Sequence, residues 1–186
     1  VQEAAAVVPE PARATAVPTA PAATGGDTPA QLTPEQIKAA AIRSQRDFTL
    51  FGEIASVFMR SPEHKQMTLT ELERLVVPAI ATRQFLVAMA QSKSTGKRYP
   101  VAVLLWASVS PEIDRRLAVG GDKQYPLEAK DWKSGDIPWL LGAAGNPQLF
   151  GGMLKQLQSG ALKGRSIKFQ TPGDNGGAQV TALAAE

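Results

Sequence analysis

Apolar positions along this chain fall into periodic runs only from Thr33 onward. Residues 1–32 are rich in Ala, Pro and Thr, contain no aromatic residue, and are interrupted by Pro9, Pro11, Pro18, Pro21 and Pro29. Such a segment offers too little apolar surface to offset the entropy of ordering it, so a disordered arm is expected over 1–32. Thr33-Pro34-Glu35-Gln36 then forms a capping-box pattern with proline at the first helical position. Ile37, Phe48, Phe51, Ile54, Ala55 and Phe58 continue at near-helical spacing, which predicts a helix running towards Met59 with Gly52 as a weak point. Thr68-Leu69-Thr70-Glu71 is a second capping box. It opens a helix carrying Leu72, Leu75, Val76 and Ile80, which Pro78 is expected to kink or end.

The period then changes. Phe85–Met89 and Val101–Trp106, separated by the turn Ser94-Thr95-Gly96-Lys97, predict a hairpin over 83–107. Ser110-Pro111-Glu112 should cap a third helix ending at Gly120-Gly121. A polar loop over 122–136 precedes a short strand over Ile137–Leu141. Gln148–Leu157 reads as an amphipathic helix despite Gly151-Gly152. Ser166–Gln170 and Gln179–Leu183 read as closing strands around the turn 172–177. The expected fold is one α+β domain over 33–186, with a central, mostly antiparallel sheet flanked by helices.

Composition narrows the chemistry. With no cysteine, thiolate nucleophiles, disulfides and cysteine-held metals are excluded. With one histidine, any imidazole chemistry must run through His64. Multi-histidine metal centres are excluded with it, and no metal is expected. The formal charge of +3 is mild and the aromatics are scattered, so no nucleic-acid partner is expected. No apolar run approaches the roughly 18 residues of a membrane span, and residues 1–30 lack the basic start and compact apolar run of a signal peptide.

Two segments carry the candidate chemistry. In Ser61-Pro62-Glu63-His64, a helical turn starting at Ser61 would place His64 at its third position. The partial positive charge of a helix start favours neutral imidazole, the form a general base needs. Read alone, a lone loop histidine is more often solvated or structural. In Lys130-Asp131-Trp132-Lys133-Ser134-Gly135-Asp136-Ile137-Pro138-Trp139, Asp131 or Asp136 is a candidate to orient an imidazole, against the plainer reading of an Asx-type turn before a strand.

The set is more specific than its parts. Ser61-Pro62-x-His64, Val77-Pro78-Ala79-Ile80 followed by Gln84-Phe85, Pro100-Val101-Ala102 leading to Trp106-Ala107 and Ser110, and Asp131-Trp132-x-Ser134-Gly135-Asp136-x-x-Trp139 occur in order. Together they resemble the RTX-toxin-activating lysine acyltransferases of the hemolysin-activating type, over about residues 50–142. That resemblance implies a fold similar to the GNAT acyltransferases. It also implies transfer of a fatty acyl group from acyl carrier protein to internal lysines of an RTX-type protoxin in the cytoplasm. No permanently bound cofactor is implied, the donor being acyl-acyl carrier protein. A homodimer stays open, as does a binding or adaptor role for a catalytically impaired member. The family histidine maps to His64 and the motif serine to Ser61. The family carries an aspartate three residues after the tryptophan matched by Trp139, and here that position is Gly142, so Asp136, or else Asp131, is the candidate to substitute for it. From Ile137 to Gly173 there is no acidic residue, while Lys155, Lys163, Arg165 and Lys168 are basic, which suits an acidic carrier. Asp114-Arg115-Arg116 reads as ordinary surface charge.

Overall fold

A computed structural model describes residues 33–119, 127–172 and 178–184. The expected arm over 1–32, the Gly120-Gly121 helix end and the turn after Pro172 lie outside the described residues.

Both capping boxes form. The Gln36 N–H donates to Thr33 Oγ1 (3.2 Å) and Gln36 Oε1 accepts from the Thr33 N–H (2.8 Å), which starts helix α1, Pro34–Arg60. The Glu71 N–H donates to Thr68 Oγ1 (3.2 Å) and Glu71 Oε2 accepts from the Thr68 N–H (2.7 Å), which starts α2, Leu69–Thr82. Each box satisfies two backbone donors that a helix start otherwise leaves unpaired. Pro78 does not end α2, which runs on to Thr82 and closes where Arg83 takes the left-handed conformation (φ 60°). Val76, Ala79 and Ile80 are buried on either side of the proline, so tertiary packing holds the helix across its missing hydrogen bond. The apolar stripe of α1 is only partly used: Ile54, Val57 and Phe58 enter the core, but Ile37 and Phe48 stay exposed.

Five strands follow in spatial order β1–β5: β1 Phe85–Gln91, β2 Arg98–Val109, β3 Ile137–Gly145, β4 Ile167–Pro172 and β5 Ala178–Leu183. All neighbours are antiparallel except β3 and β4, which are parallel and joined through helix α4, Phe150–Ser159. The expected α+β architecture, with its mostly antiparallel sheet, is therefore present. Strand β2 is buried on both faces. Val103, Leu105, Ala107 and Val109 meet α1, α2 and helix α3 (Pro111–Val119), whereas Ala102, Leu104 and Trp106 meet the α4 side. A strand covered on both faces reads as a continuous apolar run, which is why no alternation marks it in the sequence.

Strand β3 is longer than expected and carries a bulge. Its register passes from Trp106↔Leu140 to Leu105↔Gly142, leaving Leu141 without a partner. The extra residue moves position 142 onto the face that meets α1 and α2, where an added Cβ would lie 3.2 Å from Leu75 Cδ2 and 3.4 Å from Phe58 Cζ.

Several motif residues turn out to be scaffolding. Gly135 lies so close to β2 that a Cβ there would sit 2.5 Å from Val109 O, and its N–H donates to Ser108 O (3.1 Å). The Ser134 hydroxyl accepts from the Ser110 N–H (3.0 Å), so Ser134-Gly135 pins the loop to the start of α3. The Gln84 amide is buried against Ser108. With its oxygen accepting from the Ser108 N–H (3.0 Å), its nitrogen donates to Trp132 O (2.8 Å) and Thr82 Oγ1 (2.9 Å).

Asp114 is not surface charge. It accepts from Trp139 Nε1 (2.7 Å) and from Lys168 Nζ (2.7 and 2.9 Å), joining α3, β3 and β4. Nothing in local sequence shows this pairing, because its partners lie 25 and 54 residues away. Asp114→Asn should cost about 1.5–3 kcal/mol in urea unfolding, the range for charge-assisted hydrogen bonds. The exposed neighbour Arg115, changed to Gln, should stay within about 0.5 kcal/mol; equal losses would refute the assignment.

Candidate active site

Helix α1 ends at Ser61, whose N–H donates to Val57 O and Phe58 O. Pro62–His64 then make a single 3-10 turn, closed by the His64 N–H donating to Ser61 O (3.1 Å). This turn holds the two side chains together: Ser61 Oγ lies 3.1 Å from His64 Nδ1. Ser61 is buried and His64 half-buried. Phe58 packs edge-on against the imidazole, with ring centroids 4.8 Å apart and planes at 80°. Arg60 ties the end of α1 to the sheet by donating from Nη2 to Pro100 O (2.7 Å). Phe58, Met59, His64, Lys65, Met67 and Leu72 line a pocket of about 190 Å³.

The electrostatics favour neutral imidazole. Burial pushes the His64 pKa below the ordinary 6.5, and the nearby Glu63 carboxylate partly opposes that shift. The cause is therefore desolvation rather than the helix-start charge expected from sequence, since the turn is only three residues long.

The expected carboxylates are placed elsewhere. Asp136 is exposed at the start of β3 and pairs with Arg165 Nη1 (3.5 Å). It stands six residues from Gly142, roughly 15–20 Å along a strand. Asp131 is buried in its own turn, where Oδ2 accepts from the Glu128 N–H (3.0 Å). Among the described residues, the hydrogen-bond partner of the His64 imidazole is Ser61. Gly142, by contrast, shares a neighbour with the imidazole: Phe58 touches both position 142 and His64. In the linear sequence Phe58 belongs to a core stripe, and nothing marks Met59 or Met67 for a role. The only available signal was their closeness in the chain to Ser61 and His64. The expected basic region is partly neutralised, because Lys168 pairs with Asp114 and Arg165 with Asp136.

The RTX toxin acyltransferase family model matches residues 43–183, which spans α1 from its middle, the Ser61–His64 turn and all five strands. The chain belongs to this family. Similar relatives include the RTX-II toxin-activating lysine-acyltransferase of Actinobacillus pleuropneumoniae, 28% identical over 52% of this chain and 55% of that protein. The leukotoxin-activating lysine-acyltransferase of Mannheimia haemolytica serotype A11 is 29% identical over 68% of this chain and 72% of its own length. A protein-lysine myristoyltransferase of Kingella kingae is 26% identical over 69% and 73%. The chain spans about half the length of the first of these. No described helix is long and apolar enough to cross a membrane.

Proposed function

We propose that this member of the RTX toxin acyltransferase family transfers a fatty acyl group from acyl carrier protein to internal lysines of an RTX-type protoxin, in the cytoplasm. The observation that carries the reading is His64, held against Ser61 with its imidazole biased towards the neutral form and facing an apolar pocket. A lysine amine is mostly protonated at neutral pH and must be neutral to attack a thioester. With the Nδ1–H donating to Ser61 Oγ, His64 Nε2 carries the lone pair that accepts the proton of the attacking amine. The new C–N bond forms, the C–S bond breaks, and the proton passes to the departing thiolate, giving an amide and a free thiol. Ser61 is the positioning residue of the pair. Lys163 offers positive charge to an acidic carrier in a stretch without carboxylates.

Intact-mass analysis of a co-expressed repeat-type protoxin tests the reading. An added fatty-acyl mass that requires this protein supports it, and a target left unmodified with every donor overturns it. In that case the adaptor reading, which Gly142 favours, takes its place.

The pH profile gives a second check. The base is active when neutral, so transfer should fall on the acid side with a midpoint below 6.5, because burial lowers the His64 pKa. Glu63 raises that pKa, so Glu63→Gln should move the midpoint lower still. A midpoint above 6.5, or an upward move in the variant, would contradict the assignment of His64 as base.

A further inference from the structure

Beside His64 the protein keeps an open apolar space that neither the core nor the His64–Ser61 pair uses. Four of its six lining side chains are Phe58, Met59, Met67 and Leu72, and the only charged one, Lys65, is exposed. Phe58 and Leu72 are buried and form its fixed wall, while Met59 is 74% exposed and stands at its rim. Methionine adapts its shape to irregular apolar partners more readily than branched residues do.

We infer that this pocket seats the carbonyl-proximal part of the donor's alkyl chain and that Met59 and Met67 set how much chain it admits. The inference rests on the acyltransferase reading and names its substrate subsite. Two observations support it besides the lining. His64 is part of the pocket wall, so a chain lying there carries its carbonyl carbon to the imidazole. The volume is also chain-sized: apolar cavities of about 150 Å³ take a six-carbon ring, so 190 Å³ admits roughly six to eight carbons. A longer chain would have to leave past the exposed Met59.

The four methionines make the test internal to the protein. With methionine methyls labelled in the full chain, S-octyl-N-acetylcysteamine thioether is titrated in and followed by NMR, with the S-ethyl analogue as control. Saturable shifts of Met59 and Met67 with the octyl probe and not with the ethyl probe are expected. Met89, in β1, and Met153, packed behind the sheet against Ala102 and Leu104, should stay still. Met67→Trp fills part of the space. Excluding about two methylenes should weaken octyl binding, read at Met59, roughly tenfold. Silent Met59 and Met67, or equal movement of all four methyls, would overturn the pocket. An unchanged affinity in Met67→Trp would overturn the role of Met67. The titration needs no group transfer. Transfer to a target without these shifts would sink the pocket alone, whereas the shifts in a protein that never modifies a target would sink the acyltransferase reading alone.

Discussion

His64→Ala should remove the acyl mass from the target almost completely. A positioned general base contributes about 10²–10⁴-fold to rate, and no other imidazole exists in the chain to take over. The side chain is half-buried in a short turn and pairs only through Nδ1 with Ser61 among the described residues, so the fold should survive its loss. Single-turnover transfer from a fatty acyl-carrier protein, with circular dichroism as the folding control, measures both. Ser61→Ala should be milder, roughly five- to tenfold, the worth of one neutral hydrogen bond. A His64→Ala protein that still acylates its target at the parent rate would place the base elsewhere, even though the activity stood.

Gly142→Asp, which writes the family aspartate into this chain, should destabilise the protein rather than restore a pair. A side chain at 142 enters the gap between Leu75, Phe58 and Leu105. The Phe58 ring touches both that gap and the imidazole. The carboxylate would be buried without a partner, which costs about 2–5 kcal/mol. Burial favours the neutral carboxyl, so the loss should be greatest at neutral pH and shrink as the pH falls and the group protonates. Gly142→Ala is the control. Its methyl meets the mobile end of Leu75 at 3.2 Å, a contact that a small side-chain shift relieves, and the change should stay within about 1 kcal/mol. Urea unfolding of both variants at pH 5 and pH 8 reads this contrast. An aspartate variant as stable as the parent and faster in transfer would show that the carboxylate reaches His64.

These two variants also separate what local sequence carries from what it does not. The capping boxes at Thr33 and Thr68 were legible because their hydrogen bonds close within three residues. The β1–β2 hairpin was legible because its partners are joined by one short turn. The Ser61–His64 contact was legible for the same reason, being made inside a single turn. Absence of cysteine and of a second histidine limited the chemistry without any structure. Asp114 looks like surface charge in the linear sequence, and Pro78 like a kink or helix end, because distant partners decide both. Asp136 stands in a motif that suggests a site, yet that motif anchors a loop at the far end of β3.

By itself, then, the sequence determined the element order, the family resemblance and the lone imidazole with its neighbouring hydroxyl, since all of these rest on residue type and short-range spacing. Tertiary structure alone decided the surroundings of that imidazole. The bulge at Leu141 turned position 142 towards α1 and α2, Phe58 came to touch both it and His64, and Met59, Met67 and Leu72 closed around an apolar space. The physical reason is register. Strand side chains alternate between faces, so one unpaired residue reverses which face every later position occupies, and a linear pattern does not reveal that residue until the strands pair.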